Sequence, residues 1–216
     1  MRDSKLLGRK RSRLLALAFG CVGAILLLAV AYLVYRPSVD EVTPDDEVYE
    51  VYSAAIKKLF LKESGAELST TLVVIKDQTV SYRWEGWTEP TKRTQGWARS
   101  GIAVNNRTLK DFKLKNEDSV LVEPAFRLPA TYSMISDEEL QSHFKNLRSW
   151  GDFYENHPGA IGYIVLSSVG FNPDHNQAFL YVQLVCGNRC GKGFYVLLGK
   201  DGGTWSVQYA DLLWVS

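Results

Sequence analysis

Apolar and polar residues follow three different rhythms along this chain. From Leu14 to Tyr35 there is no alternation: the twenty-two residues LLALAFGCVGAILLLAVAYLVY carry no charge. As a helix rising ~1.5 Å per residue, such a run crosses a hydrocarbon core of ~30 Å and predicts a transmembrane helix. From Val48 onward the apolar positions Val48, Val51, Tyr52, Ala55, Ile56, Leu59 and Phe60 recur at three- and four-residue spacing. That period predicts an amphipathic helix, with Asp45 and Asp46 at its positive end and Lys57, Lys58 and Lys62 at its negative end. The last third changes again, to strand-like runs at Gly162–Phe171, Ala178–Cys186, Gly193–Lys200 and Trp205–Val215. Their connectors are turn chemistry: Asn172-Pro173-Asp174, the loop around Cys186 and Cys190, and Asp201-Gly202-Gly203. Short connectors between successive strands predict a four-stranded antiparallel meander.

The middle of the chain is less regular. Thr70–Val80, TTLVVIKDQTV, is β-branched and reads as a strand. Ser81–Asn106 carries weaker signals and three of the six tryptophans. A short helix is expected over Leu109–Lys115 with Thr108 as its cap, and Ser119–Ser133, containing Pro124 and Pro129, reads as extended but irregular. Ser136-Asp137-Glu138-Glu139 is a capping box that opens a helix through Leu140, Phe144 and Leu147, and a further helical turn carries Trp150, Phe153 and Tyr154. A helix early and a sheet late predict the α+β class, the helix packing on an antiparallel sheet.

Charge then divides the chain. Residues 1–13 hold six basic side chains against the single Asp3, a local +5 within a total of +1, so the remainder carries −4. A mildly acidic body gives no electrostatic footing for nucleic acid. The basic tip beside an apolar run predicts a cytoplasmic tip (1–13), a membrane helix (14–35), an acidic, proline-containing linker (36–46) and an extracytoplasmic domain (47–216). Ala29-Val30-Ala31 is also a small-x-small cleavage site, so a signal peptide removed after Ala31 is the rival reading. Both place the domain in the same compartment.

The end of the chain resembles a group of uncharacterised bacterial extracytoplasmic proteins. The elements that carry the resemblance are Val169-Gly170-Phe171-Asn172, Gln177-Ala178, Tyr181-Val182, Cys186-Gly187, Cys190-Gly191, Gly203-Thr204-Trp205 and Trp214-Val215-Ser216. Val51–Leu59, Val73–Thr79 and Leu109–Asn116 extend it over most of the soluble chain, and Tyr82–Gly101 matches least. The group implies no activity or ligand. A looser likeness, to the cone-shaped nuclear transport factor-like and cystatin-like domains, implies that the sheet is curved.

The candidate chemistry is sparse. Cys186 and Cys190 lie four residues apart on a hairpin end, within reach of the roughly 4.4–6.8 Å between Cα atoms that a disulfide needs, and an oxidising compartment preserves such a bond. A thiol oxidoreductase is the chemical alternative, but the spacing and the following strand do not match the helix N-terminus of thioredoxin-like sites. Two cysteines with His143, His157 and His175 scattered along the chain do not make two ligand pairs, so no metal is expected, and no cofactor. Phosphate-loop, zinc-protease and nucleophile-elbow motifs are all missing from the sequence. The stretch YRWEGWTEPTKRTQGW offers Trp84, Trp87 and Trp97 beside Arg93, an aromatic and basic surface for a glycan, peptide or protein partner; its alternative is a set of rings covering a sheet face. The sequence thus predicts a membrane-anchored extracytoplasmic binding or structural module, with an extracytoplasmic enzyme as the rival.

Overall fold

The computed structural model describes residues 46–61, 68–81, 89–145 and 149–216. They lie in the second of the chain's two compact units, Pro44–Ser216. The tip, the predicted membrane helix over 14–35 and the linker up to residue 45 fall outside the described residues. Among the described residues no helix is long and apolar enough to cross a membrane.

The first helix, α1 (Asp46–Ile56), continues as a π-helical turn over Lys57–Leu61. Its three- and four-residue period is realised as burial: Val51, Tyr52, Ala55, Ile56 and Phe60 face the core, and Asp46 and Glu47 occupy the first turn, where the helix dipole favours them. Hydrogen bonds then fix its neighbours. Tyr52 donates to the carbonyl of Ser167 at 2.8 Å, while Tyr49 and Ser53 hydroxyls accept from the backbone N–H groups of Glu123 (2.6 Å) and Arg127 (2.9 Å). Phe126 packs its ring on Tyr49 and Tyr132, with centroids 5.3 and 5.4 Å away.

Seven strands form one sheet: β1 (Leu72–Lys76), β2 (Thr131–Ile135), β3 (Ala160–Leu166), β4 (Gly170–Phe171), β5 (Gln177–Gly187), β6 (Cys190–Asp201) and β7 (Thr204–Val215). Their spatial order is β2-β1-β3-β5-β6-β7, with β4 also paired to β5. The expected meander is present as β3, β5, β6 and β7, all antiparallel. Gly202 and Gly203 both take positive φ (53° and 82°) in the two-residue turn between β6 and β7, a conformation that other residues enter at a cost. The expected strand over Gly162–Phe171 is split into β3 and β4. At the break, the Ser167 hydroxyl accepts from the Tyr181 N–H and Asn116 bonds both backbone groups of Ser168, so side chains replace part of the ladder.

The sheet as a whole is mixed, which corrects the expectation of an antiparallel one. β1 runs parallel to both β2 and β3. Its three central residues Val73, Val74 and Ile75 are all fully buried, because helices or loops cover both of its faces, as parallel strands require.

Two helix pairs cover the face opposite α1. Along β5 the alternation is clear: Ala178, Leu180, Val182 and Leu184 join the α1 core, while Phe179 and Tyr181 join a second one. That second core takes Trp97 from α2 (Pro90–Ala98) and Leu109 and Phe112 from α3 (Asn106–Lys115). Helix α3 rides so close to Gly170 of β4 that a Cβ there would collide with the backbone of Phe112. The third core, over β1 and β3, takes Leu140 from α4 (Asp137–Phe144) and Phe153 from α5 (Trp150–Asn156). The capping box forms as expected, with Ser136 Oγ accepting from the Glu139 N–H at 3.1 Å. The cap of α3 is Asn105 rather than Thr108, whose buried hydroxyl instead bonds Gln177.

Candidate functional site

The two helix pairs leave a trough between them, about 550 Å³ in volume and open to solvent. Its floor is sheet: Lys76 of β1, Tyr163 and Val165 of β3 and Gln183 of β5. One wall is α4, through Asp137 and Leu140; the other joins Gln78–Ser81 to Glu117-Asp118-Ser119, which follows α3. Backbone pairing holds that second wall, since Thr79 N–H donates to Val120 O (2.9 Å) and Val122 N–H to Asp77 O (2.8 Å). Asn116, fully buried, anchors its start by accepting from Ser168 N–H at 2.8 Å and donating to Ser168 O at 3.0 Å.

Among the described residues, the trough is lined by three carboxylates, of Glu117, Asp118 and Asp137, and by one ammonium, of Lys76. Lys76 is paired with Asp137 at 2.8 Å. Burial, and then the nearby Asp137 charge, push the Tyr163 phenol up, so it stays neutral at physiological pH. Gln183 accepts from Tyr181 OH (2.6 Å), which in turn accepts from the Trp214 indole N–H (2.9 Å), a chain that fixes the amide's orientation. The Ser119 hydroxyl donates to the Thr79 carbonyl and the Thr79 hydroxyl accepts from the Val120 N–H. The Ser119 proton is thus committed to a backbone carbonyl rather than to a base, which an activated nucleophile requires.

The tryptophan stretch is divided. Trp84 and Trp87 lie outside the described residues. Trp97, only 4% exposed, is a core residue: its ring meets Tyr209 and Phe179 at centroid distances of 4.8 and 5.8 Å, and its N–H donates to Asp211 at 3.0 Å. Arg93, one turn earlier on α2, makes a two-pronged ion pair with the same Asp211 (2.9 and 3.2 Å) and reaches the Leu212 carbonyl. Both side chains thus fasten α2 to β7.

Cys186 and Cys190 face each other across the β5–β6 hairpin at disulfide distance, with Cα atoms 5.0 Å apart and only Asn188 and Arg189 in the turn. No helix begins there, so the dipole that activates a redox thiol is missing from this hairpin.

Comparison of the chain with protein-family models, with curated proteins and with solved structures finds no match. The functional reading therefore rests on the side chains alone. Of the histidines, His175 bonds Glu47, whose other oxygen holds Lys200 at 2.7 Å. His143 and His157 come together between α4 and α5, with rings 5.5 Å apart. Burial, and then the neighbouring His143, push His157 below its ordinary imidazole value. With Glu139 they are the one group among the described residues that can offer three metal-ligand atoms together. Neither the trough nor this group was legible in the sequence: the trough joins segments as far apart as Lys76 and Gln183, and the group needs two successive helices to bring His157 to Glu139 and His143.

Proposed function

We propose that the chain is a membrane-anchored extracytoplasmic binding domain whose ligand occupies the trough between the two helix pairs. The observation that carries the reading is the trough itself: about 550 Å³, floored by a rigid sheet, within the ~300–1,000 Å³ of small-molecule sites. Among its described lining residues, three carboxylates against one lysine favour a small cationic or polyhydroxylated ligand. The Ser119 hydroxyl's bond to a backbone carbonyl and the mutual pairing of Lys76 and Asp137 favour binding over catalysis. Anchoring rests on the apolar run Leu14–Tyr35 behind a basic tip, and the cysteine pair, read as an oxidised disulfide, supports a location outside the cytoplasm.

The test uses the full chain in detergent, with spermidine and arginine amide as cationic probes and trehalose as a neutral one. At least one probe is expected to raise the unfolding temperature in the wild type and in Arg93→Ala, and to lose that effect in the double variant Glu117→Gln, Asp118→Asn. Stabilisation that survives the double variant, or no stabilisation by any probe, counts against the trough as the site. Protease added to intact spheroplasts should remove the domain and leave the tip protected.

A further inference from the structure

We infer that Glu139, His143 and His157 form a binding site for one divalent transition-metal ion of the zinc type, a site separate from the trough and from the ligand proposed for it. Their ligand atoms already lie within 4.8 Å of one another. Glu139 and His143 are four residues apart on α4, so the helix stacks them on one side; His157 arrives as the C-terminal cap of α5. His157 Nε2 stands 4.0 Å from Glu139 Oε1.

Two further observations point to an ion. First, the Nε2 atoms of both histidines are buried with no hydrogen-bond partner. A buried polar atom of this kind calls for an explanation, and in His143, whose side chain is only 7% exposed, solvent does not supply one. Second, His143 Nδ1 lies 2.8 Å from Asp152 Oδ2. An ionised carboxylate only accepts, so Nδ1 carries the proton, and in the neutral ring the buried Nε2 is the atom left with a lone pair to offer an ion. A carboxylate that orients an imidazole in this way is the usual second partner of a metal-ligating histidine.

The donor set decides the class of ion. Two imidazoles and one carboxylate suit zinc and its first-row neighbours, and exclude the all-oxygen shells of calcium and magnesium. Bond lengths near ~2.0–2.2 Å need the three atoms to draw closer than they stand, a movement open to the exposed Glu139 side chain. Three protein ligands leave a fourth position for water, the arrangement of open rather than closed zinc sites.

The test is made on the full chain in detergent, free of any histidine tag and stripped with a chelator. Zinc titrated by calorimetry should bind one ion per chain. His143→Ala and His157→Ala should each weaken binding by more than ~100-fold, and Asp152→Asn by ~10–100-fold. His175→Ala, outside the cluster, should leave it unchanged. If a histidine variant fails to fold, Glu139→Gln, at a largely exposed position, carries the same comparison, with a thermal melt confirming the fold. Zinc-edge X-ray absorption of the wild type should show imidazole and oxygen ligands. Wild-type protein that binds no zinc, equal affinity in the variants, or sulfur ligation overturns the assignment. Loss of probe binding in the trough variants leaves it standing, because no ligand of this site lines the trough.

Discussion

Asn116→Ala tests whether one buried amide holds the trough wall in place. The native side chain makes three hydrogen bonds: it accepts from Ser168 N–H at 2.8 Å and donates to the carbonyls of Ser168 (3.0 Å) and Phe112 (2.7 Å). The two carbonyls keep other donors, Ser167 Oγ for Ser168 and the Asn116 backbone N–H for Phe112, so each loses an ordinary bond of about 0.5–1.5 kcal/mol. Ser168 N–H loses its buried acceptor, which costs about 1–3 kcal/mol. The total is about 2–6 kcal/mol, with about 4 kcal/mol central. In a domain of this size each kcal/mol moves the midpoint by roughly 2–4 °C, so the expected fall is about 8–16 °C. Thermal unfolding of the full chain, followed by far-ultraviolet circular dichroism, measures it. The matching control is Ser168→Ala, because the bonds with Asn116 use only the Ser168 backbone; it should cost less than about 1 kcal/mol. A fall below about 2 °C for Asn116→Ala, or an equal fall for Ser168→Ala, would refute the reasoning.

Trp97→Ala should cost about 3–5 kcal/mol, the range for emptying a large core ring, while Arg93→Ala, whose side chain is partly exposed, should cost about 1 kcal/mol in a urea titration. A Trp97→Ala protein of undiminished stability would return this ring to the surface. Mass spectrometry of the unreduced chain should find Cys186 linked to Cys190, and Cys186→Ser should lower stability by at most about 2 kcal/mol, since closing so short a loop removes little chain entropy. Burial alone would raise the Glu47 carboxyl, but hydrogen bonds from Lys200 and His175 outweigh it and hold the group below its ordinary value. Its contribution is therefore present above the unfolded carboxylate range and is lost as pH falls through the lowered folded value. Acid unfolding monitored by fluorescence should show Glu47→Gln losing less stability than the wild type between pH 7 and pH 3, at equal ionic strength.

Local signals carried the parts of this fold that local chemistry decides. The period of α1, the Ser136 capping box and the Gly202-Gly203 turn each depend on residues within a few positions of one another. Strand direction does not. LVVIK says that β1 is apolar on both sides, but its parallel partners Thr131–Ile135 and Ala160–Leu166 are chosen by how the intervening helices return the chain. β2 was hidden because a short edge strand, half-exposed and preceded by two prolines, has little hydrophobic period of its own. α2 was hidden because Glu89 is an unusual cap and Gly96 weakens helix propensity, although Pro90 at its first turn was a legible start. Of the metal-ligand cluster, the four-residue spacing of Glu139 and His143 was visible in the sequence. Only the placing of α5 beside α4 brings His157 to them.

The parallel placement of β1 also orders the assembly of the domain in time. Synthesis runs from the N-terminus, so Leu72–Lys76 emerges early, yet Thr131 and Ala160 must follow before either side of it can pair. The hairpins β5–β6 and β6–β7, by contrast, close on neighbours only a turn away. Contact order then makes the last strands the natural first assembly, with β1 inserted beside them late. Until then, its fully apolar core of Val73, Val74 and Ile75 needs shelter from other chains, a demand that falls on whatever escorts the polypeptide as it is made.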